Sequence, residues 1–283
     1  MISFGVSTWL WTSPFSTDTL ALFPKLKQMG FDAVEIPVEY PELIDPVQTL
    51  AALKQYDLKP IICGAFGPSR DLTHDDPKVH QNCFDYLQAC FELSNQLGAK
   101  FVAGPMYSSV GKARLLSPDE RKREWELAVG NLHKVCQMAA ANGQSIALEP
   151  LNRFETDLVN TASDIARMVA DINHPAAKIM LDSFHMTIEE RDLAAAFVAV
   201  KDHLIHVQVS ENYRGIPGTG LSPWQSFKAG LEAIDYQGVV SIESFTTEIK
   251  ELAGAVCFWK PMADSQDQFA TEGLAFLKQL FNS

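Results

Sequence analysis

Apolar and polar positions along the chain follow two alternating patterns. Eight short runs are nearly continuous in apolar, β-favouring residues: positions 3–9, 33–38, 60–65 and 100–105, then 145–150, 178–183, 205–210 and 239–245. Continuous runs of this length are expected of parallel strands buried on both faces. Between them lie stretches with helical periodicity and their own start and stop signals. The helix expected over 17–29 stops at Gly30, and one opens at Asp45-Pro46 and runs to residue 56. Another covers 76–97 and stops at Gly98. Ser117-Pro118-Asp119-Glu120 reads as an N-cap and acidic first turn for a helix that reaches Asn142-Gly143. Further helices are expected over 161–171, 188–202, 223–234 and 264–280. Strand followed by helix, eight times in 283 residues, is the count and size of a (β/α)8 TIM barrel. The expectation is a single α/β domain over residues 1–283, since no linker or shift in composition divides the chain. A doubly wound sheet would want a glycine-rich phosphate loop after its first strand, and residues 8–14 (TWLWTSP) contain no glycine.

Composition narrows the partners. Lys and Arg number 23 against 35 Asp and Glu, a net charge of −12. So acidic a surface argues against a nucleic-acid partner, which needs a basic footprint. No apolar run approaches the roughly 18 residues of a membrane span. The N-terminus MISFGVSTWLW has no basic stretch of the kind that opens a secretory signal. The five cysteines are odd in number and lack a CxxC pair, so they read as buried thiols of a reducing compartment. A cytoplasmic protein is expected.

In a barrel of this kind catalytic groups sit at the C-terminal ends of the strands. Four consecutive runs carry a polar group there: Glu149 in IALE, Asp182 in IMLD, Gln208 in HVQV and Glu243 in SIES. Three carboxylates converging at a barrel mouth repel one another unless a counter-ion joins them. One divalent cation satisfies all of them. Three carboxylates and an amide oxygen are hard donors that suit Mn2+ first, with Mg2+ or Co2+ as alternatives, better than zinc. His206 shares a strand face with Gln208 and is expected one layer below it, as a second-layer partner or a satisfied core histidine.

The stretches LEPLNRFETDLVNT, MLDSFHMTIEE, HVQVSENYRGIPGTGLSPW and IESF together resemble the ketose 3-epimerases, a group that includes the D-tagatose, D-psicose and L-ribulose 3-epimerases of the xylose-isomerase-like barrel superfamily. The likeness extends to DLTHDDPKVH, GPMYSSVG and EGLAFLK, and so spans nearly the whole chain. It implies that Glu149, Asp182 and Glu243 ligate the metal and that Glu149 and Glu243 are the acid/base pair. It implies that Glu155, His185 and Arg214 hold the sugar, with Trp11 and Phe245 as aromatic walls. The sequence departs from the family at one ligand: the second histidine of an HxH pair is replaced in His206-Val207-Gln208. An amide oxygen can still ligate, as in the hydroxypyruvate-isomerase-like branch that the chain resembles at this point.

The activity implied is metal-dependent epimerisation at C3 of a free ketose. A proton leaves the carbon beside the carbonyl, an enediolate forms, and a proton returns on the other face. Two flanking carboxylates favour this over the alternative, an aldose–ketose or hydroxypyruvate-type isomerase, which shuttles a proton on one face. A barrel that only binds a sugar and an abasic-site endonuclease fit less well: the first would not need both glutamates, and the second needs a His-rich metal cluster and a basic groove. The glycine-rich loop 215–220 lacks the Lys-Ser/Thr of a phosphate loop, so an unphosphorylated sugar is expected. Long outer helices and Phe258-Trp259 point to a homo-oligomer, a dimer or tetramer.

Overall fold

The computed structural model describes residues 2–282. Eight parallel strands close into a barrel in chain order, with β8 returning to β1. They are β1 (Ser3–Ser7), β2 (Ala33–Val38), β3 (Lys59–Gly64), β4 (Phe101–Gly104), β5 (Ser145–Leu148), β6 (Ala177–Asp182), β7 (Leu204–Val209) and β8 (Val239–Ile242). The outer ring comprises α1 (Phe23–Met29), α2 (Pro46–Gln55), α3 (Pro77–Leu97), α4 (Pro118–Ala141), α5 (Ala162–Ile172), α6 (Ser183–Glu189), α7 (Leu193–Val200), α8 (Trp224–Ala233), α9 (Lys250–Ala255) and α10 (Gln266–Asn282). This is the expected TIM barrel.

Local chemistry explains where the elements depart from expectation. Residues 8–10 leave β1 as a tight 3-10 turn, with the Ser7 hydroxyl accepting from the Trp9 N–H. The helix expected over 17–29 starts as a 3-10 turn, and α1 forms around Pro24, whose missing N–H is harmless only in a first turn. The helix expected over 188–202 is shortened to α7 at 193–200, and a further helix, α6, precedes it at 183–189. Asp182 caps α6 directly at the end of β6, its Oδ1 accepting from Phe184 N–H at 2.8 Å. Asp192 then caps α7, accepting from the N–H groups of Ala194 and Ala195 at 3.0 and 3.2 Å. α9 has no counterpart in the sequence reading.

The apolar strand runs conceal an alternation of size. Outward positions are large and branched: Val34, Ile36, Ile62, Val102, Ile146, Ile179, Leu181, Val207 and Ile242 all join one core with the helices. The interior holds a separate, smaller cluster of Ala33, Ile61, Cys63, Ala103, Ala147 and Met180. At Gly5 even a Cβ would collide with the Ser241 hydroxyl. Side chains two residues apart share a strand face. Glu149 follows Ala147, Asp182 follows Met180, Gln208 follows His206 and Glu243 follows Ser241 at that spacing, so these four form the next inward layer, at the mouth.

Candidate active site

Glu149 and Glu243 lie one residue past β5 and β8; Asp182 ends β6 and Gln208 is the penultimate residue of β7. All four are buried, none more than 6% exposed. Ligand-type atoms of Glu149, Asp182 and His185 lie within 4.8 Å of one another. Gln208 adjoins them, its Nε2 donating to Glu243 Oε1 at 3.1 Å and to Glu35 Oε2 at 2.8 Å. Arg214 reaches into the centre: Nη1 donates to Asp182 Oδ2 at 2.7 Å and to Glu243 Oε2 at 2.9 Å.

The second layer fixes these groups. Asn152 donates its backbone N–H to His185 Nδ1 at 3.0 Å, and its side-chain amide donates to Glu155 Oε1 at 2.8 Å. Burial, with Arg214 nearby, pushes the His185 pKa well down, so the ring is neutral. His185 Nε2 lies 3.7 Å from Glu149 Oε1 and 3.2 Å from Arg214 Nη2, which can only donate. His185 thus stands with Glu149 and Asp182 in a cluster that could hold a metal ion, and beside Arg214 at the cavity floor. Arg214 takes φ +62°, a left-handed conformation that costs a long side chain about 1–3 kcal/mol. The bonds from Arg214 N–H to Glu211 O and from Ser244 Oγ to Arg214 O hold it there. Arg214 is buried, 8% exposed.

The electrostatics are those of a site short of positive charge. Burial foremost, then Glu243 and Asp182, pushes the Glu149 pKa well up, with Arg214 offsetting part. Burial likewise raises Glu243, against the pull of Arg214. Gln208 Oε1 is buried without a donor, an orphaned acceptor beside three carboxylates. An orphaned amide oxygen and hard carboxylate oxygens together fit a divalent cation.

A cavity of about 670 Å3 opens over this cluster. Glu149, Glu155, His185, Gln208, Arg214, Glu243 and Phe245 line it, as the sequence suggests for them. Trp11 does not: its Nε1 donates to Asp267 at 2.8 Å and its ring lies under Lys25 on the outer ring. The 3-10 turn after β1 presents Trp9 instead. Trp9 packs against Phe245 with ring centroids 5.8 Å apart, and its Nε1 donates to Glu39 at 2.7 Å. The cavity is covered by α9 through Ile249, Leu252 and Val256, whereas Trp259 is 74% exposed and Phe258 is packed behind Phe245. Arg153 pairs with Glu189 at 3.0 Å instead of with a carboxylate of the cluster. Glu35 is the group that sequence reasoning missed. It is a charge inside an apolar run, as at Glu149, Asp182 and Glu243, but in the middle of AVEIPV and not at its end.

A family model described as xylose isomerase-like TIM barrel matches residues 23–280. A probable ketose 3-epimerase of Synechocystis is 31% identical over 283 residues, covering all of this chain and 98% of that protein. The chain belongs to the ketose 3-epimerases, isomerases of the xylose isomerase-like TIM-barrel family. The L-ribulose 3-epimerase of Methylomonas is 32% identical over 255 residues, 89% of this chain and 88% of that one. Among solved structures, the D-allulose 3-epimerase of Methylomonas in complex with D-allulose superposes with a TM-score of 0.90, at 29% identity over 98% of this chain and 96% of that one. Among the described residues of this epimerase, no helix is long and apolar enough to cross a membrane.

Proposed function

We propose that the chain epimerises an unphosphorylated ketose at C3, with Glu149 and Glu243 as the two acid/base groups. The observation that carries this reading is the pair of buried carboxylates at the ends of β5 and β8, both held above the usual carboxylate range by burial, on one sugar-sized cavity. Carboxylates raised in this way are better bases than exposed ones and can both take and return a carbon-bound proton. Glu149, Asp182, Gln208 and Glu243 hold a divalent cation, with Mn2+ the first choice. When bound, the cation supplies positive charge to stabilise the enediolate oxygens. His185 and the Arg214 guanidinium orient the sugar oxygens, Glu155 accepts from a hydroxyl, and Trp9 and Phe245 pack on the ring carbons. The absence of a phosphate on the sugar is supported by the loop after β7. There Glu211 accepts from the N–H groups of Asn212, Gly218 and Ser222 and from Trp224 Nε1, consuming the donors that a phosphate would use. A cytoplasmic location is supported by five free cysteines, and a homo-oligomer by the exposed Trp259.

The deciding experiment is turnover of D-allulose by the Mn2+-loaded protein in D2O. Deuterium is expected at C3 of the product. Gln208 favours one second reading, the aldose–ketose or hydroxypyruvate-type isomerase, and deuterium at C1 would establish that one instead.

A further inference from the structure

Gln208 is the one expected ligand whose two ends differ: its amide nitrogen repels a cation and only its oxygen can ligate. A side-chain amide has no intrinsic preference between these orientations, so its neighbours must choose. Both Nε2 hydrogens are taken, one by Glu35 Oε2 at 2.8 Å and one by Glu243 Oε1 at 3.1 Å. The reversed amide would set its oxygen against two carboxylate oxygens. Glu35 is completely buried on β2, across the barrel from Gln208 on β7, and is itself oriented: its Oε1 is bonded by His206 Nε2. His206 Nδ1 has no donor beside it, which places the ring proton on Nε2, facing Glu35. The result is a chain from His206 through Glu35 to Gln208 that ends at the mouth in an orphaned oxygen, Gln208 Oε1, and below it in the unpartnered His206 Nδ1.

We propose that Glu35 is a positioning residue for the cation: it turns the Gln208 amide so that the oxygen, and not the nitrogen, is offered to the ion. This rests on the metal-binding reading of the site. Outer groups that orient a ligand typically contribute about 10–100-fold to metal affinity. The charge of Glu35 would also attract the ion through space, so the test must separate orientation from charge.

The measurement is Mn2+ affinity of the metal-free protein by titration calorimetry, which requires no turnover. Glu35→Gln is expected to weaken binding by about 10–100-fold, because the two amides then pair in either orientation. Glu35→Asp keeps the charge but shortens the reach, and is expected to lose a similar factor; it also serves if Glu35→Gln fails to fold. In a Gln208→Met background no amide remains to be turned, and Glu35→Gln is expected to change affinity by less than about threefold. If the Glu35 variants bind Mn2+ like the parent, or if the loss is as large in the Gln208→Met background, the positioning role is overturned. If the parent itself binds no Mn2+, it is the metal reading of the site that falls.

Discussion

From β5 to β8 the barrel mouth presents Glu149, Asp182, Gln208 and Glu243; the side built from β1 to β4 presents Trp9, Cys63, Phe66 and Pro105 to the same cavity. The first side is a set of buried like charges, held together by one internal cation, Arg214. The second is apolar and satisfied by packing: Trp9 against Phe245, Phe66 against Tyr86 at 5.9 Å. The difference teaches how a single barrel divides its labour. One side carries groups that are costly to bury and are kept for chemistry. The other excludes water, which strengthens every charge interaction on the first. Glu35 is an acid rooted in the apolar side whose bonds to His206 and Gln208 reach the acidic one, whereas Glu39, after β2, accepts from Trp9 Nε1 within its own side.

The comparison is broken most severely by neutralising the acid/base pair. Glu149→Gln and Glu243→Gln are each expected to lower kcat for D-allulose by about a hundred- to ten-thousand-fold, the usual range for a positioned acid or base. Near-UV circular dichroism should stay that of the parent. A variant retaining more than a tenth of the activity would remove that glutamate from the chemistry.

Arg214→Met comes next. It leaves Asp182 and Glu243 buried without a cation, which should destabilise the metal-free protein by about 3–5 kcal/mol. Mn2+ should then bind more tightly than to the parent, since the ion no longer competes with a guanidinium. Thermal melting with and without Mn2+ checks both, and unchanged melting in the metal-free state would show that Arg214 carries no such load. A gentler probe of the same side is pH. Burial and mutual repulsion raise the Glu149 and Glu243 pKa values, so the metal-free protein holds protons that an entering ion must displace. Mn2+ affinity should therefore rise with pH through the near-neutral range, by up to about tenfold per pH unit for each proton displaced. A flat calorimetric profile from pH 6 to 8 would contradict the shifts.

The acidic side was the legible one. A charge interrupting an apolar run is visible in one dimension, and the barrel geometry supplies the rest, because strand ends all open on one face. Local patterns likewise located the eight strands, the helix start at Asp45 and the cap at Ser117. What stayed hidden depends on rotation about an axis or on contacts across the barrel. Trp9 and Trp11 look alike in sequence, and only the 3-10 turn decides which faces the cavity. Glu35 gains its meaning from a contact with His206 and Gln208, 171 and 173 residues away. The break between α6 and α7 was missed because Asp192 competes for the backbone of an otherwise helical stretch, a preference that propensity alone underweights.

The apolar side yields the smallest prediction, and the one that best tests whether the two sides differ in kind. Cys63 lines the cavity on β3, close enough to Glu35, Glu243 and Glu149 for their charges to act on it. A thiol there invites a role as ligand or nucleophile. Burial, reinforced by those carboxylates, pushes its pKa well above the ordinary thiol value, so it stays protonated, and a protonated thiol is neither ligand nor nucleophile. Cys63→Ala should remove packing and a weak thiol hydrogen bond to Glu35. The expected cost is about 1 kcal/mol of stability from a small void, with kcat and Mn2+ affinity within about twofold of the parent. Denaturant unfolding beside steady-state kinetics measures both. A tenfold fall in kcat at unchanged stability would mean that the chemistry extends across the barrel, and that the division between the two sides is wrong.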